Sequence, residues 1–468
     1  MCESYFMMRD LTIESVLGAE GVSYTRALRT GLAFLDNQTT AGLLARVGRR
    51  IDSVALPPRI PKRSLPIAYG GGEDGPTGDF LVGRGLFYLD EQRRLFLDCT
   101  SGHYQMLWGY NHPALCAAMT EGVRDGIVWD NHSNIPQAPL KLLAARLVDL
   151  ANDPSSNDPL DTVLLGVCTG SVACAAALKI QLKVFERHHP PTVAPVIITL
   201  AGNYHGTDLV PQFMRGLWPR LVRPFDMVQI EPNDQRQLEH AFEVHRGRVA
   251  GFWAEPVMMN REAIALDADY LKRARQLCDR EGALLCLDEI QTGFWCPEVF
   301  ACRALSLRPD LIVLGKGLTA GFHPLSGVLF RRRHDLLEQY DAISTNGSAA
   351  LPAYVALASL EMIHEQGPRI RAVAQSIQAG FHRLVQQFPN YLEAAHGTGH
   401  LAGLKFHSVE TAKAFHRSLL EAGLWTRVHA YHEGHRTILT KLGLPAEAEV
   451  VDFMLATFER LLHALRSR

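Results

Sequence analysis

The feature that most constrains this chain is a rhythm that begins near residue 160, where short, continuously apolar runs alternate with longer helical stretches. The runs are Thr162–Val167, Val196–Leu200, Met227–Ile230, Ala250–Ala254, Ala283–Leu287, Leu311–Leu314 and Gly327–Phe330. They are rich in Val, Ile and Leu and do not alternate with polar residues, so both faces of each must be covered. Ser171–Glu186, Ala268–Glu281 and Pro352–His364 read as helices. Strands buried on both faces and separated by helices define an α/β chain with a mostly parallel sheet. Ligands of such sheets lie beyond the carboxyl ends of the strands, so the polar residues there are the first place to look for chemistry.

The flanks differ. The segment up to about Pro66 reads as an arm, rich in Pro and basic residues over 53–66, and residues 70–78 are a run of turn formers. A strand-like Asp79–Val82 follows that glycine loop where a phosphate cradle would need a helix, so the loop reads as a hinge or surface turn. After the sheet comes a helical stretch, Pro368–Gln387, then a tail with strand signals and a final amphipathic helix, Ala446–Leu465. The expected division is residues 1–79 as an arm and part of a small domain, 80–365 as the large domain, and 366–468 as a small C-terminal α+β domain.

Charge and composition exclude several classes. Lys plus Arg is 47 against 49 Asp plus Glu, which offers no footprint for nucleic acid or an anionic membrane. No uninterrupted run of about 18 apolar residues exists to span a bilayer. Charged residues punctuate the first thirty positions, which removes a secretory h-region. The nine cysteines form no C-x-x-C pair, which points to reduced thiols and a cytoplasmic protein.

Three strand ends carry unusual residues. One run ends in Asp288-Glu289, one in Gly315-Lys316-Gly317, and one in Thr169-Gly170-Ser171 before a helix. Each alone also reads as ordinary structure: an N-cap, an exposed turn, a helix cap. Together they place a carboxylate, a lysine and a helix N-terminus at one sheet edge, which is what pyridoxal phosphate chemistry needs. Lysine forms the Schiff base, the carboxylate keeps the pyridine nitrogen protonated, and the helix end takes the phosphate.

At these residues the chain resembles a known family. Asp288-Glu289-Ile290-Gln291-Thr292-Gly293-Phe294 is similar to the D-E-[VI]-Q-T-G-F signature of class III PLP-dependent aminotransferases, which have fold type I. Pro309-Asp310 followed by Gly315-Lys316-Gly317 resembles the family's lysine segment, 28 residues after Asp288. Trp108-Gly109-Tyr110-Asn111-His112-Pro113, Tyr204-His205-Gly206-Thr207 and Ala254-Glu255-Pro256-Val257 resemble further family motifs, in family order over about 80–365. The resemblance implies a fold-type I PLP-dependent transferase with a large, mostly parallel seven-stranded sheet and a smaller α+β domain.

The resemblance also implies roles. Lys316 is the Schiff-base lysine and proton shuttle, and Asp288 pairs with the pyridinium. Gln291 lies near the phenolic oxygen and Tyr204 on the ring face. Gly170 and Ser171 bind phosphate, and Glu255 belongs to the cofactor site. Thr345 reaches into a neighbouring subunit's site, which implies a homodimer with shared active sites. Tyr104, Trp108 and Trp295 are expected to face an apolar or aromatic substrate pocket. The substrates are a small amine or amino acid and a carbonyl acceptor, with no metal.

The departures from the pattern are informative. Val172 and Cys174 stand where the family has Glu and Asn after the phosphate residues. Asn260 takes the place of a glutamate that in some members holds a carboxylate-binding arginine, and the tail segment Thr437–Gly443 has no arginine. Both partners are absent together, as expected if a lone buried charge is costly. The chain therefore either forgoes the usual glutamate exchange or binds a carboxylate through Arg261, Arg427, Arg436 or Lys441. The loss keeps open an epimerase, aminomutase or decarboxylase on the same fold, and a non-catalytic interaction protein is a further rival. His429, His432 and His435 form H-x-x-H-x-x-H in a segment that does not read as helix, so a polar loop or site entrance is expected there. Arg331–His334 reads as a solvated basic face.

Overall fold

The computed structural model describes residues 11–61, 78–132, 134–215, 225–342, 344–429 and 434–465. Most of the glycine loop at 70–78, and His432, lie outside the described residues.

The seven apolar runs all form strands of one seven-stranded sheet. In spatial order they are Thr162–Val167, Ser326–Phe330, Leu311–Leu314, Leu284–Asp288, Val249–Ala254, Val196–Leu200 and Asp226–Ile230. Only Ser326–Phe330 runs antiparallel, pairing with 311–314 on one side and 162–167 on the other. The other pairings are parallel. The lack of alternation has a direct cause. Leu285, Leu287, Ile312 and Leu314 face one hydrophobic core, whereas Leu284, Cys286, Leu311 and Val313 face another. Successive side chains of a strand point to opposite faces, and here both faces are dry. The helix Gly170–His188 covers one face, while Ala268–Glu281 and Ala350–Gln387 pack into the other.

The chain starts at one edge of this sheet, crosses to the other and then steps back strand by strand. As a result the strands ending at Val167, Leu200, Ala254, Asp288 and Leu314 all present their carboxyl ends along one edge.

A second core joins the two ends of the sequence. Ala27, Leu35, Leu89 and Leu95 pack with Phe381, Phe406, Phe415 and Phe458. The strand Leu95–Asp98 pairs in parallel with Leu424–Trp425, and a four-stranded sheet carries Leu401–Phe406 and Thr437–Lys441.

Two expectations change. The helical stretches on either side of residue 365 form one helix, Ala350–Gln387, with Pro368 inside it. Proline removes a backbone donor and disfavours a helical residue before it. Here Ile363, Gly367 and Ile370 are all buried on the same body, so packing holds the two halves in line. The basic cluster is also less exposed than its composition suggests. Arg331 is buried, its guanidinium 2.8 Å from Asp310 and 2.9 Å from Asp158. Arg333 remains exposed and pairs with Asp158.

Candidate active site

The strand ends converge as the topology requires. Asp288, the last residue of its strand, is 2% exposed. Its Oδ2 accepts from His205 Nδ1 at 2.7 Å and from Cys174 Sγ at 3.5 Å, while Oδ1 accepts from the Ile290 amide at 3.0 Å. A carboxylate only accepts, so His205 carries its proton on Nδ1. Burial pulls the His205 ring toward its neutral form, but the bond to Asp288 and its charge outweigh that and leave the pKa raised. Burial beside Asp288 pushes the Cys174 pKa well up, which keeps it a thiol.

Lys316 begins a short 3-10 turn after the strand Leu311–Leu314, in a left-handed conformation with φ 40°. That geometry costs a non-glycine residue on the order of 1 kcal/mol and is typical of functional positions. Burial pushes its amine down to about 8, against the upward pull of Asp288 and Glu255. Its Nζ lies 5.8 Å from the Tyr104 ring and 6.0 Å from the Tyr204 ring. Glu255 ties the neighbouring loops together. It accepts from the Tyr204 amide at 2.8 Å and from Gln291 Nε2 at 3.4 Å. Burial, with the Asp288 charge adding to it, pushes Glu255 up to about 7.

The third strand end opens the helix Gly170–His188, capped by Thr169, whose hydroxyl accepts from the Val172 amide. Ser171 Oγ accepts from the Thr207 amide at 3.1 Å. A side chain at Gly206 could not coexist with this contact: its Cβ would lie 2.1 Å from Ser171 Oγ, and its φ is +115°. The helix start therefore meets the Tyr204–Thr207 loop through a glycine that the packing demands.

A different construction closes the site from the other side. Ser101, Gly102, His103 and Tyr104 all have positive φ, between 51° and 73°, which makes one left-handed turn. Such a turn needs outside support. Asp98 supplies it, accepting from the Thr100 amide at 2.7 Å, the Gly102 amide at 2.6 Å and the Tyr110 hydroxyl at 2.7 Å. Ser101 Oγ adds a bond to the Lys441 carbonyl at 2.7 Å. The turn presents His103 and Tyr104. His103 Nδ1 accepts from Arg427 Nη1 at 2.7 Å, and burial with Arg427, Lys316, His429 and Lys441 nearby drives its pKa down to about 3. Lys441 is wholly buried, its Nζ 4.5 Å from the Trp295 ring and 5.2 Å from the Tyr104 ring, and it donates to the Gln291 carbonyl.

The four candidate cations are thereby sorted. Arg261 pairs with Glu231 at 2.5 Å and Arg436 with Glu393 at 2.7 Å. Among the described residues Arg427 and Lys441 form no ion pair, and both surround His103 with Lys316. Tyr104 and Trp295 stand at the site through their contacts with these lysines. Trp108 does not: it is wholly buried in the large core, and its indole N–H donates to Ser359 Oγ at 2.9 Å. Thr345 is exposed, next to Asn346, whose carbonyl lies 3.6 Å from Cys168 Sγ. His429 is buried and His435 half-buried. The described group with metal-ligand chemistry is Cys174, His205 and Asp288, already joined by the Asp288 hydrogen bonds. Sequence reasoning placed His103 only in a loop expected to line the substrate pocket and assigned no role to Asp98 or His205. The aromatic-H-G motif could have pointed to His205, but nothing local marks Asp98.

These donors fit pyridoxal 5′-phosphate. A buried carboxylate is available for a ring nitrogen, a lysine of lowered pKa for a Schiff base, and the N-terminus of a long helix for a phosphate. Gln291 Oε1 is buried without a hydrogen-bond partner, while its Nε2 donates to Asn260 at 3.1 Å. A buried amide left partly unsatisfied in this way can turn its N–H toward the phenolic oxygen of such a ring.

Known proteins agree with this geometry. The family model of class-III aminotransferases matches residues 79–462. Ornithine aminotransferase, mitochondrial, of Oryza sativa is 28% identical over 337 residues, covering 68% of this chain and 67% of that protein. Acetylornithine aminotransferase of Xanthomonas campestris is 30% identical over 318 residues, covering 64% and 74%. The crystal structure of Toxoplasma gondii ornithine aminotransferase superposes with a TM-score of 0.75 at 22% identity, covering 87% of this chain and 94% of that one. The N-acetylornithine aminotransferase of Stenotrophomonas maltophilia gives 0.69 at 25% identity, covering 87% and 98%. The chain belongs to the class III aminotransferase family. It is a pyridoxal phosphate-dependent transferase of fold type I, and aminotransfer is favoured over the epimerase, aminomutase or decarboxylase alternatives.

Proposed function

We propose that the enzyme takes an amino donor that carries a carboxylate and no net positive charge, and passes its amino group to a carbonyl acceptor. When bound, pyridoxal 5′-phosphate supplies an electrophilic carbonyl and a ring that takes up electrons from the donor's C–H bond. Lys316 Nζ would hold the cofactor and would carry the proton taken from the donor carbon. Its lowered pKa leaves a useful fraction of free amine near neutral pH. Asp288, fixed by His205, Cys174 and Ile290, would keep a ring nitrogen protonated. Tyr204, Gln291 and Glu255 would line the cofactor site, and Gly170 and Ser171 at the helix start would bind the phosphate.

One observation carries the substrate reading: Arg427 and Lys441 close the substrate side without an acid to balance either of them among the described residues. A donor carboxylate fills that role, and a cationic side chain is repelled. Ornithine and acetylornithine are the donors named for the relatives. The charge pattern favours the acetylated one, whose side chain is neutral. A single-turnover screen tests this by following loss of the cofactor's visible band with ornithine, N-acetylornithine and simple amines. Fastest conversion by the simple amines, which lack a carboxylate, or by ornithine would contradict it.

The homodimer belongs to the same reading. Val123, Val128, Trp129 and Ile135 are exposed apolar residues over one short stretch, and a partner subunit would cover them. Exposed Thr345 would then serve the partner's site. Sedimentation equilibrium at twice the chain mass of 51.9 kDa is expected. The free described cysteines, mostly buried thiols, support a cytoplasmic setting.

A further inference from the structure

Lys441 is a buried amine in an unusual position. It is 0% exposed, its Nζ faces the Trp295 ring at 4.5 Å and the Tyr104 ring at 5.2 Å, and it donates a hydrogen bond to the Gln291 carbonyl. Lys316 Nζ stands over the same Tyr104 ring at 5.8 Å. The titratable groups set against it carry positive charge or none: Lys316 from the lysine turn, His103 and Tyr104 from the left-handed turn, and His400 between two tail strands, with Arg427 and His429 from the tail standing against His103. The acids of the site, Asp288 and Glu255, act on Lys316.

Burial and the lack of an acid decide the state of this amine. An unpaired ammonium is costly to bury, and two aromatic faces with one carbonyl bond replace only part of the hydration it loses. A second amine on the same ring adds repulsion. Without an anion the neutral form wins, and burial with the Lys316 charge holds the Lys441 pKa well below its ordinary value. An anion against Nζ reverses the balance, because a close ion pair in a dry site is strong.

We propose that carboxylate recognition in this enzyme is proton-coupled: Lys441 waits as a neutral amine and takes one proton from water for each substrate carboxylate that binds beside it. This rests on the carboxylate reading above. The proton passes from the buffer acid through solvent to Nζ: the acid's bond to hydrogen breaks, the N–H bond forms, and the buffer is left as its conjugate base. Affinity for carboxylates then falls tenfold per pH unit above the pKa of Lys441, which a permanently charged guanidinium would not show.

The test uses the cofactor-loaded protein with pentanoate and pentanamide, which lack an amine and cannot react. Calorimetric titration at pH 7, 8 and 9, in buffers of different ionisation heat, gives affinity and proton uptake together. Expected for pentanoate are uptake near one proton and a nearly tenfold loss of affinity per unit, with neither for pentanamide. Lys441→Arg should bind pentanoate with no uptake and no pH slope, and Lys441→Met should bind it at least tenfold more weakly at pH 7. Uptake that persists in Lys441→Arg places the proton elsewhere, at Lys316, and overturns the proposal. A flat wild-type profile overturns it too, while weaker binding by Lys441→Met would then leave the carboxylate reading standing. If pentanoate binds no better than pentanamide, or Lys441→Met equals wild type, the carboxylate reading itself fails.

Discussion

The two halves of the proposed active site, one for the cofactor and one for the substrate, are built by opposite means. The cofactor half stands on ends of buried parallel strands: Asp288, Lys316, Glu255 and the helix start at Gly170. Its charges are mutually compensated, with Asp288 and Glu255 pulling on Lys316. The substrate half stands on a strained left-handed turn and short tail strands, and its ionisable groups Arg427 and Lys441 are both bases, with no acid paired to either among the described residues. A balanced half can hold the same cofactor in every turnover. An unbalanced half is completed by whatever brings the missing charge, so specificity concentrates there.

Breaking the cofactor half should cost most. Lys316→Ala removes both nucleophile and proton carrier, and kcat should fall by more than about 10⁴-fold. Asp288→Asn leaves a neutral partner for the ring nitrogen, and a loss on the order of 10³-fold with weaker cofactor retention is expected. Stopped-flow rates and cofactor occupancy check both, and wild-type turnover in either would dissolve the distinction between the halves. Stability of the cofactor-free protein gives a third handle. The Lys316 pKa is about 8 when folded against 10.5 unfolded, so the folded state binds fewer protons between those values. Lys316 therefore contributes a rise in stability of about 3 kcal/mol as pH climbs from about 8 to 10.5, and the buried Lys441 amine adds a rise of the same sign. Chemical denaturation across that range should show a smaller rise in Lys316→Met than in wild type.

The substrate half should respond more gently and more selectively. Arg427→Met should raise KM for a carboxylated donor by about 10–100-fold, the worth of one charged hydrogen bond, with little change for an amine that lacks a carboxylate. Equal effects on both donors would make Arg427 a structural residue. Asp98→Asn replaces one acceptor oxygen by a donor facing the Gly102 amide or the Tyr110 hydroxyl. It should cost about 1–2 kcal/mol in denaturant midpoint and move KM before kcat.

The same division governs what the sequence reveals. The seven strands are readable because a sheet buried on both faces imposes uninterrupted apolar runs, and Asp288 and Lys316 stand out as the polar residues that end them. The left-handed turn is not readable. Ser101-Gly102-His103-Tyr104 has one glycine, and its support comes from Asp98 and from the Lys441 backbone at the far end of the chain. Trp108 illustrates the same limit, since a core indole and a pocket indole look alike until Ser359 is seen against it. Pro368 misleads in the other direction, because its cost is local and the packing that offsets it is not.

Two buried lysines flank one tyrosine, and the central claim is that they divide the work: Lys316 bonds the cofactor and Lys441 binds the substrate's charge. Borohydride reduction of the cofactor-loaded protein, followed by peptide mapping, separates them directly. The account predicts a single pyridoxyl group on the peptide containing Lys316. A pyridoxyl group on Lys441 would contradict it.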